Sequence, residues 1–126
     1  MTLIEKTAAL VSKLIRLTME RQLQWQPRAA AKFGLAPNDR VLRCYETEYE
    51  GRRLAISELN RAAYDRYTDS TRWEHDFQLL ALDDHGNVQW GFPGIPGLSS
   101  LFSAASGEAA GIDAWLDGVL GHAPSA

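Results

Sequence analysis

Residues 40–60, RVLRCYETEYEGRRLAISELN, decide the fold, since their polarity alternates with a period of two on both sides of Glu50 and Gly51. Such alternation, in a segment rich in β-branched and aromatic residues, predicts two antiparallel strands, and glycine supplies the positive φ that a two-residue turn requires. The first strand is predicted to place Val41, Arg43, Tyr45, Thr47 and Tyr49 on one face, and Leu42, Cys44, Glu46 and Glu48 on the other. Neither face of the hairpin is wholly apolar, so one face is expected to stay in contact with water.

Residues 72–92 repeat this pattern and predict a second hairpin. The alternating positions of its first strand are Trp73, His75, Phe77, Leu79 and Ala81. On its returning strand, Val88, Trp90 and Phe92 are predicted to form the inward face. The sequence DDHGN at residues 83–87 is typical of the connecting turn. The polar segment between the hairpins, residues 61–71, is compatible both with a longer strand and with a loop that leaves the sheet.

The N-terminal segment has the clearest helical periodicity in the chain. Apolar residues recur at spacings of three and four from Leu3 to Thr18, while charged residues occupy the opposite face. Thr2 followed by Glu5 is a capping-box pattern. We predict an amphipathic helix over residues 3–20 that buries its apolar face in the core.

The stretch VQWGFPGIPGLSSLF, residues 88–102, predicts a strand that turns a corner into helical structure. Pro93 and Pro96 cannot donate to a sheet ladder, so they end the strand and stiffen its exit. Helical spacing of apolar residues resumes after Gly97 and indicates either two helices or one helix bent near residues 107–111.

Residues 21–39 carry two shorter signals. The sequence LQWQP is typical of an extended piece that ends at Pro27, and residues 28–39 predict a helical turn closed by Gly34 and Pro37. Taken together, the patterns predict a single α+β domain over residues 1–126. It comprises an N-terminal amphipathic helix, a mainly antiparallel meander of about four strands, and one or two C-terminal helices packed on one face.

The composition argues against several classes of partner. The 126 residues carry a net charge of −3 with dispersed basic residues, whereas nucleic-acid binders usually present a basic face. The longest apolar runs are a few residues, against about twenty needed to cross a bilayer, so we expect no membrane association. One cysteine, Cys44, and an N-terminus interrupted by Glu5 and Lys6 favour a cytoplasmic location.

Motifs that would carry catalysis are weak throughout the chain. The three histidines form no HExxH pattern, and no CxxC pair exists, so we expect neither a metal nor a cofactor. Cys44 and His75 lie on different predicted strands, but a strand cysteine is more often a small buried hydrophobe than a nucleophile. Glu46, Glu48 and Glu58 are more often a solvated sheet face than an acid–base site. We therefore predict no catalytic residue and favour a non-enzymatic protein.

Tyrosine and arginine residues of the two hairpins are the most distinctive candidates for a function, because both types are enriched at binding hot spots. The predicted protein-binding residues, on one aromatic and Arg-rich sheet face, are Tyr45, Tyr49, Arg52, Arg53, Tyr64 and Tyr67. Their partner is expected to be another protein or a second copy of this chain. The alternative is a small-ligand binder or small enzyme with a pocket between the sheet and the C-terminal helices, lined by Trp73, His75, Trp90 and Trp115.

The order of four segments resembles that of small uncharacterised bacterial α+β proteins. These segments are LIRLTMERQLQW, YEGRRL, VQWGFPGIPGLSSLF and AAGIDAWLDGVL, which supply a helix, a Leu-x-Trp strand, a meander and a Trp-x-Phe-Pro exit into C-terminal helices. The resemblance covers nearly the whole chain and implies an accessory role with no catalytic residue. Secretion chaperones, adaptors and immunity proteins share the small size and the acidic charge.

Overall fold

The computed structural model describes residues 1–29 and 39–121. The elements in chain order are α1 (Leu3–Met19), β1 (Gln26–Pro27), β2 (Arg40–Tyr49), β3 (Arg52–Asp65), β4 (Ser70–Leu82), β5 (Val88–Gly91), α2 (Leu98–Ala109) and α3 (Ile112–Leu120). The strands form one sheet in chain order, and every neighbouring pair is antiparallel. The predicted α+β fold with an antiparallel meander is thereby confirmed. The helical turn predicted within residues 28–39 lies largely outside the described residues.

Helix α1 begins at the predicted cap. The Thr2 hydroxyl oxygen accepts a hydrogen bond from the backbone N–H of Glu5 at 3.1 Å, which satisfies one of the free donors of the first turn. Val11 and Leu14 on the apolar side of the helix are buried in the core. The helix ends at Met19, within one residue of the predicted boundary.

The first hairpin turns at the predicted pair. Glu50 and Gly51 both have a positive φ, 50° and 75°, as a type I′ turn requires. This turn twists the strands in the same sense as the sheet, so it fixes the register in which Tyr49 pairs with Arg52.

A β-bulge at Leu42 changes one end of strand β2. The register shifts between Val41 and Arg43, which leaves Leu42 as an extra residue. Because a bulge interrupts the alternation of faces, Val41 packs beside Cys44 and not on the opposite face with Tyr45. The predicted face of Val41 is therefore wrong.

A second bulge lies where β4 meets β5. Leu82 pairs with Val88 and Ala81 with Trp90, so the register shifts between these two pairs. Val88 consequently packs on the face of Leu82, whereas Phe92 joins the core on the helix side. The prediction that Val88, Trp90 and Phe92 share one inward face is wrong for the same physical reason.

Strands β3 and β4 extend beyond the rest of the sheet. β3 continues to Asp65 and β4 starts at Ser70, so the segment between the hairpins lengthens the strands instead of leaving the sheet. The pairing of β3 with β2 ends at Asn60, and the ladder of β4 with β5 ends at Leu80. Within the described residues, the far ends of these strands pair with each other alone, and we call residues 61–74 the ribbon.

Both faces of the central strands are buried. The helix-side core joins α1 and α2 to the sheet and includes Leu14, Leu54, Ile56, Leu79, Leu101 and Phe102. The cluster on the opposite face contains Cys44, Ala55, Leu80 and Leu82. The expectation that one face stays wet is wrong at these positions. β3 and β4 carry apolar residues at consecutive positions here, as strands buried on both faces do.

The C-terminal segment forms two helices and not one bent helix. Helix α2 packs on α1 and on the sheet, and Leu101 and Phe102 are among its buried residues. Gly111 separates the two helices with a φ of 65°, a conformation that glycine adopts without strain. Helix α3 contacts α2, but none of its residues is buried. No helix among residues 1–29 and 39–121 is long and apolar enough to cross a membrane.

Candidate functional site

The tyrosines of the first hairpin face the helices. The Tyr45 ring lies 5.6 Å from the ring of Phe102, and its hydroxyl lies 3.3 Å from the Ser106 hydroxyl. Tyr49 packs against the same core, with the Lys13 ammonium 5.8 Å from its ring centre. Both tyrosines are therefore on the face of the sheet that α1 and α2 cover.

Of the other four predicted binding residues, Arg52 is paired with Tyr49 across the hairpin, and the remaining three lie away from both tyrosines. Arg53 donates to both carboxylate oxygens of the buried Glu46, at 2.9 and 3.0 Å, on the opposite face of the sheet. Arg52 donates to the Gln89 side chain at 2.9 Å. Tyr64 and Tyr67 are exposed near the tip of the ribbon. The structure thus does not bring the six residues onto one sheet face, and their role in binding stays a prediction.

The four residues of the alternative pocket are also separated. Trp73 lies on the ribbon with the Arg40 guanidinium 4.2 Å from its ring centre. The Trp90 ring packs edge-on against Phe92 at 4.8 Å on the last strand. His75 lies on β4, and Trp115 is exposed on α3. These side chains do not converge between the sheet and the helices, so the predicted pocket around His75 is not formed by them.

The residues with catalytic potential are likewise held apart. Cys44 faces the side of the sheet opposite to His75, because His75 packs on Phe77 of the helix-side core. Burial raises the pKa of the Cys44 thiol to about 11 despite a hydrogen bond from Ser57, so the thiol stays protonated at neutral pH. Within the described ranges, no three His, Cys, Asp or Glu side chains form a cluster suited to a metal ion.

Glu58 belongs to an ion-paired network on the helix side. Its carboxylate accepts a hydrogen bond from Arg43 Nε at 3.1 Å and lies 3.1 Å from His75 Nε2. Burial raises the pKa of Glu58, but the hydrogen bonds and charges of Arg43 and His75 outweigh it, so the pKa lies below its ordinary value. A carboxyl with a lowered pKa stays ionised at neutral pH, which suits a structural ion pair better than a general acid.

Replacing Arg43 with glutamine is expected to raise the pKa of Glu58, because the guanidinium makes the larger contribution to lowering it. A carboxyl with a lowered folded-state pKa stabilises the fold above its unfolded pKa, and this stability is lost as the pH falls through the folded pKa. The wild type should therefore lose more stability than Arg43→Gln on acidification below pH 4.5, the ordinary pKa of the group. An NMR titration of the Glu58 carboxyl, with urea unfolding at each pH, measures both effects.

Arg52→Gln is the matched control for this titration, because the Arg52 guanidinium contacts Gln89 and not Glu58. The pKa of Glu58 should be unchanged in that variant. An equal pKa of Glu58 in wild type and Arg43→Gln would contradict the network.

The exposed apolar side of helix α3 is the most unusual surface of the described chain. Its residues, which we call the α3 surface, are Ile112, Trp115, Leu116, Val119 and Leu120. Their exposed fractions run from 41% to 63%, although a helix of this pattern normally buries its apolar stripe. Helical spacing in the sequence indicates these residues as one stripe, but that spacing does not reveal whether the stripe faces the core or solvent.

Helix α3 is held to the body by its acidic side. The Arg21 guanidinium, just beyond α1, pairs with Asp113 and with Asp117, the latter at 3.4 Å. Asp113 and Asp117 are one turn apart and lie beside the apolar stripe, so these ion pairs tie one edge of the helix to the segment after α1, although the Asp113 side chain stays 70% exposed. Neither ion pair covers the apolar stripe, which stays exposed.

An apolar groove adjoins the α3 surface. It is a cavity of about 600 Å³ between the end of α1, the second half of α2 and the start of α3. Its lining includes the small residues Ser103, Ala104, Gly107 and Ala114, with Ile112 and Leu116 along one wall. Glu108 lies at its border, where the carboxylate accepts a hydrogen bond from the Trp25 backbone N–H at 2.6 Å. Small residues leave room for an inserted side chain or ligand.

The charged residues that line the groove are Arg21, Glu108 and Asp113. All 13 Lys and Arg residues of the chain lie before Trp73. The charged residues from Trp73 onward are carboxylates, namely Glu74, Asp76, Asp83, Asp84, Glu108, Asp113 and Asp117. This asymmetry is visible in the sequence and is the signal that would have directed attention to the C-terminal helices.

The α3 surface, the groove and their acidic border together form the candidate site. Comparison of the chain with protein-family models, with curated proteins and with solved structures gave no significant match.

Proposed function

We propose that this protein is a non-enzymatic, cytoplasmic accessory protein that binds an amphipathic helix of another protein through the α3 surface and the adjoining groove. The observation that carries the proposal is that α3 exposes five large apolar side chains while its carboxylates face Arg21. Exposed contiguous apolar surface rimmed by polar groups is typical of an interaction site.

The shape and the charge of the site define the partner. A groove walled by Ile112 and Leu116, with a floor of small residues, suits the side chains of a helix that recur at i, i+3, i+4 and i+7. Glu108 and Asp113 line the groove with Arg21, and Asp117 lies next to them on α3, so the carboxylates outnumber the cation among these residues. The complementary partner is therefore a helix with an apolar stripe flanked by lysine or arginine.

Peptide binding tests this proposal. The probe is a synthetic amphipathic helix with leucine at i, i+3, i+4 and i+7 and lysine on its flanks, and the reference peptide has glutamate in place of each lysine. By fluorescence anisotropy, the lysine peptide should bind the wild type at least about tenfold more tightly than the glutamate peptide. Leu116→Asp should weaken the lysine peptide by about tenfold or more. This variant adds a negative charge that by itself would attract the peptide, so a loss of affinity reports the apolar contact.

Leu42→Asp provides the matched control, since Leu42 is 47% exposed on strand β2 and Leu116 is 41% exposed on α3. Binding by Leu42→Asp should equal that of the wild type. Equal binding by wild type and Leu116→Asp, or equal affinity for the two peptides, would contradict the proposal, as would the absence of binding at about 1 mM peptide.

A second candidate function is the binding of an apolar small molecule in the same groove. Its volume of about 600 Å³ falls within the range of about 300–1,000 Å³ that ligand sites occupy. This alternative keeps the predicted small-ligand function but places it away from His75. It is favoured over helix binding if Nile red, a small apolar dye, binds the wild type whereas neither peptide does.

A further inference from the structure

The outer edge of strand β4 is open along the ribbon. β5 pairs with β4 from Leu80 to Leu82, and within the described residues no strand pairs with the edge of β4 before that point. Residues 70–75 are all exposed. An open strand edge presents a row of backbone donors and acceptors to any chain that lies alongside it.

Odd- and even-numbered residues of β4 direct their backbone groups to opposite sides, and this alternation identifies which groups point to the open edge. The Leu79 carbonyl accepts a hydrogen bond from the Phe92 N–H at 2.9 Å, on the β5 side of β4. In an antiparallel strand, every second residue directs its N–H and C=O to the same neighbour. Thr71, Trp73 and His75 share the parity of Leu79, so their N–H and C=O groups point to the open edge.

The open stretch of the β4 edge ends before Phe77. Phe77 is the next residue of the same parity, and its N–H donates to the Asp76 carboxylate at 2.9 Å. This bond satisfies the Phe77 donor within its own chain. The outward-facing residues with free donors are thus Thr71, Trp73 and His75, a set that is symmetric about Trp73.

We propose that this edge pairs with a second copy of the chain, antiparallel, about a twofold axis at Trp73. In this register Trp73 lies opposite the partner's Trp73, and Thr71 lies opposite the partner's His75. The outward-facing N–H and C=O groups of Thr71, Trp73 and His75 are then all paired, with about six backbone hydrogen bonds between the chains. The two sheets become one continuous sheet across the axis.

Charge complementarity supports a second copy in this register. Arg72 lies opposite the partner's Glu74, and Glu74 opposite the partner's Arg72. These are non-hydrogen-bonded pairs, in which opposite side chains approach most closely. Arg72 and Glu74 are both exposed, with their charged groups 3.3 Å apart within one chain, so they are available for this exchange.

The neighbouring registers are disfavoured by like charges. An axis at Arg72 opposes two arginines. An axis at Glu74 opposes two glutamates. It also places Arg72 opposite the partner's Asp76, but it pairs Thr71 with the partner's Phe77, whose N–H already donates to the Asp76 carboxylate. An axis at His75 places Glu74 opposite the partner's Asp76 on both sides. Like charges directly opposite each other destabilise a strand pair, so the charges and the free donors of this edge together favour the Trp73 register over its neighbours.

The dimer is expected to be weak, because pairing of about seven residues per chain buries less surface than the roughly 1,200 Å² of stable interfaces. Sedimentation velocity from about 10 µM to about 500 µM should therefore show a concentration-dependent monomer–dimer equilibrium. Arg72→Glu and Glu74→Arg should each weaken the dimer about tenfold or more, because each places like charges opposite each other twice. The double variant Arg72→Glu/Glu74→Arg should restore it, because the pairs are opposite in charge again.

A mixture of the two single variants gives the sharpest test. A chain with glutamate at both positions and a chain with arginine at both positions should form a mixed dimer that is stronger than the dimer of either variant alone. Thr71→Pro, which removes one outward-facing N–H from the edge, should also weaken the dimer while leaving the ladder with β3 intact.

This inference stands apart from the proposed helix-binding function. Leu116→Asp, which changes the α3 surface, should leave the dimer unchanged, so the two proposals fail separately. A wild type that stays monomeric at about 500 µM would overturn the β4 pairing. A dimer of unchanged strength in both single charge variants would equally overturn it, and would indicate association through another surface.

Discussion

Truncation of Leu101 to alanine is expected to lower the free energy of unfolding by about 3 kcal/mol, within the range of about 2–5 kcal/mol for a buried leucine. Leu101 is fully buried where helix α2 meets α1 and the sheet. The loss combines the transfer free energy of the removed carbons with the cost of the cavity that remains. Urea unfolding monitored by circular dichroism gives the free energy of unfolding directly.

Leu42→Ala is the control, because Leu42 is 47% exposed at the bulge of β2. Its expected effect is within about 0.5 kcal/mol, as for most surface substitutions. A similar loss in both variants would show that α2 does not form the centre of the core. The contrast therefore tests the helix-side packing that positions α3 and the groove.

The alkaline stability of the protein is expected to depend on Cys44. Burial raises the pKa of this thiol from its ordinary value of 9.0 to about 11, so between these values the native thiol keeps a proton that the unfolded chain releases. A raised folded-state pKa contributes stability that is complete below the unfolded pKa and is lost as the pH rises through the folded pKa. The wild type should lose up to about 3 kcal/mol through this group between pH 9 and pH 11.

Comparison with Cys44→Ala isolates this contribution, because tyrosines and lysines titrate in both proteins over the same range. Urea unfolding at several pH values should show a steeper decline for the wild type. Native Cys44 should also react with a thiol reagent at pH 8 far more slowly than the unfolded chain, because the thiolate is both scarce and covered. Parallel stability curves for the two proteins, or fast labelling of the native state, would contradict a buried, protonated thiol.

Regular periodicity predicted most of the secondary structure. The capped helix α1, the Glu50–Gly51 turn and the helix that starts after Gly97 all occur where the sequence indicates them. These features depend on local chemistry: cap donors, positive φ and the spacing of apolar side chains. The two bulges, at Leu42 and after Ala81, were missed because no residue type marks them in a single sequence.

The candidate site was predicted less well than the fold. Tyr45 and Tyr49 looked like members of a binding surface, but the helices cover their side of the sheet. Arg53 is another of the predicted binding residues, and in the structure its guanidinium pairs with the buried Glu46. In both cases the sequence does not reveal which face of the hairpin is covered by another element. That outcome depends on contacts between residues that are far apart in the sequence.

The exposure of the apolar stripe of α3 is a second feature that the sequence pattern does not reveal. Its spacing predicts a helix, and the structure has one, but a core helix and a docking helix carry the same spacing. In the structure Arg21 pairs with Asp113 and Asp117 at one edge of α3, and the apolar stripe beside them is exposed.

The sequence by itself determined the α+β class, the order of the elements, the hairpin turn and the caps, because each of these follows from residues within a few positions of one another. The tertiary structure alone decided which strand faces are covered, where β4 has an open edge, and that α3 turns its apolar side to solvent. These outcomes depend on pairings such as that of Arg21 with Asp117 and that of Leu82 with Val88, which no local pattern specifies. The local sequence pattern determines which secondary structure a segment can form. Contacts between residues distant in the sequence determine which side of that segment is buried.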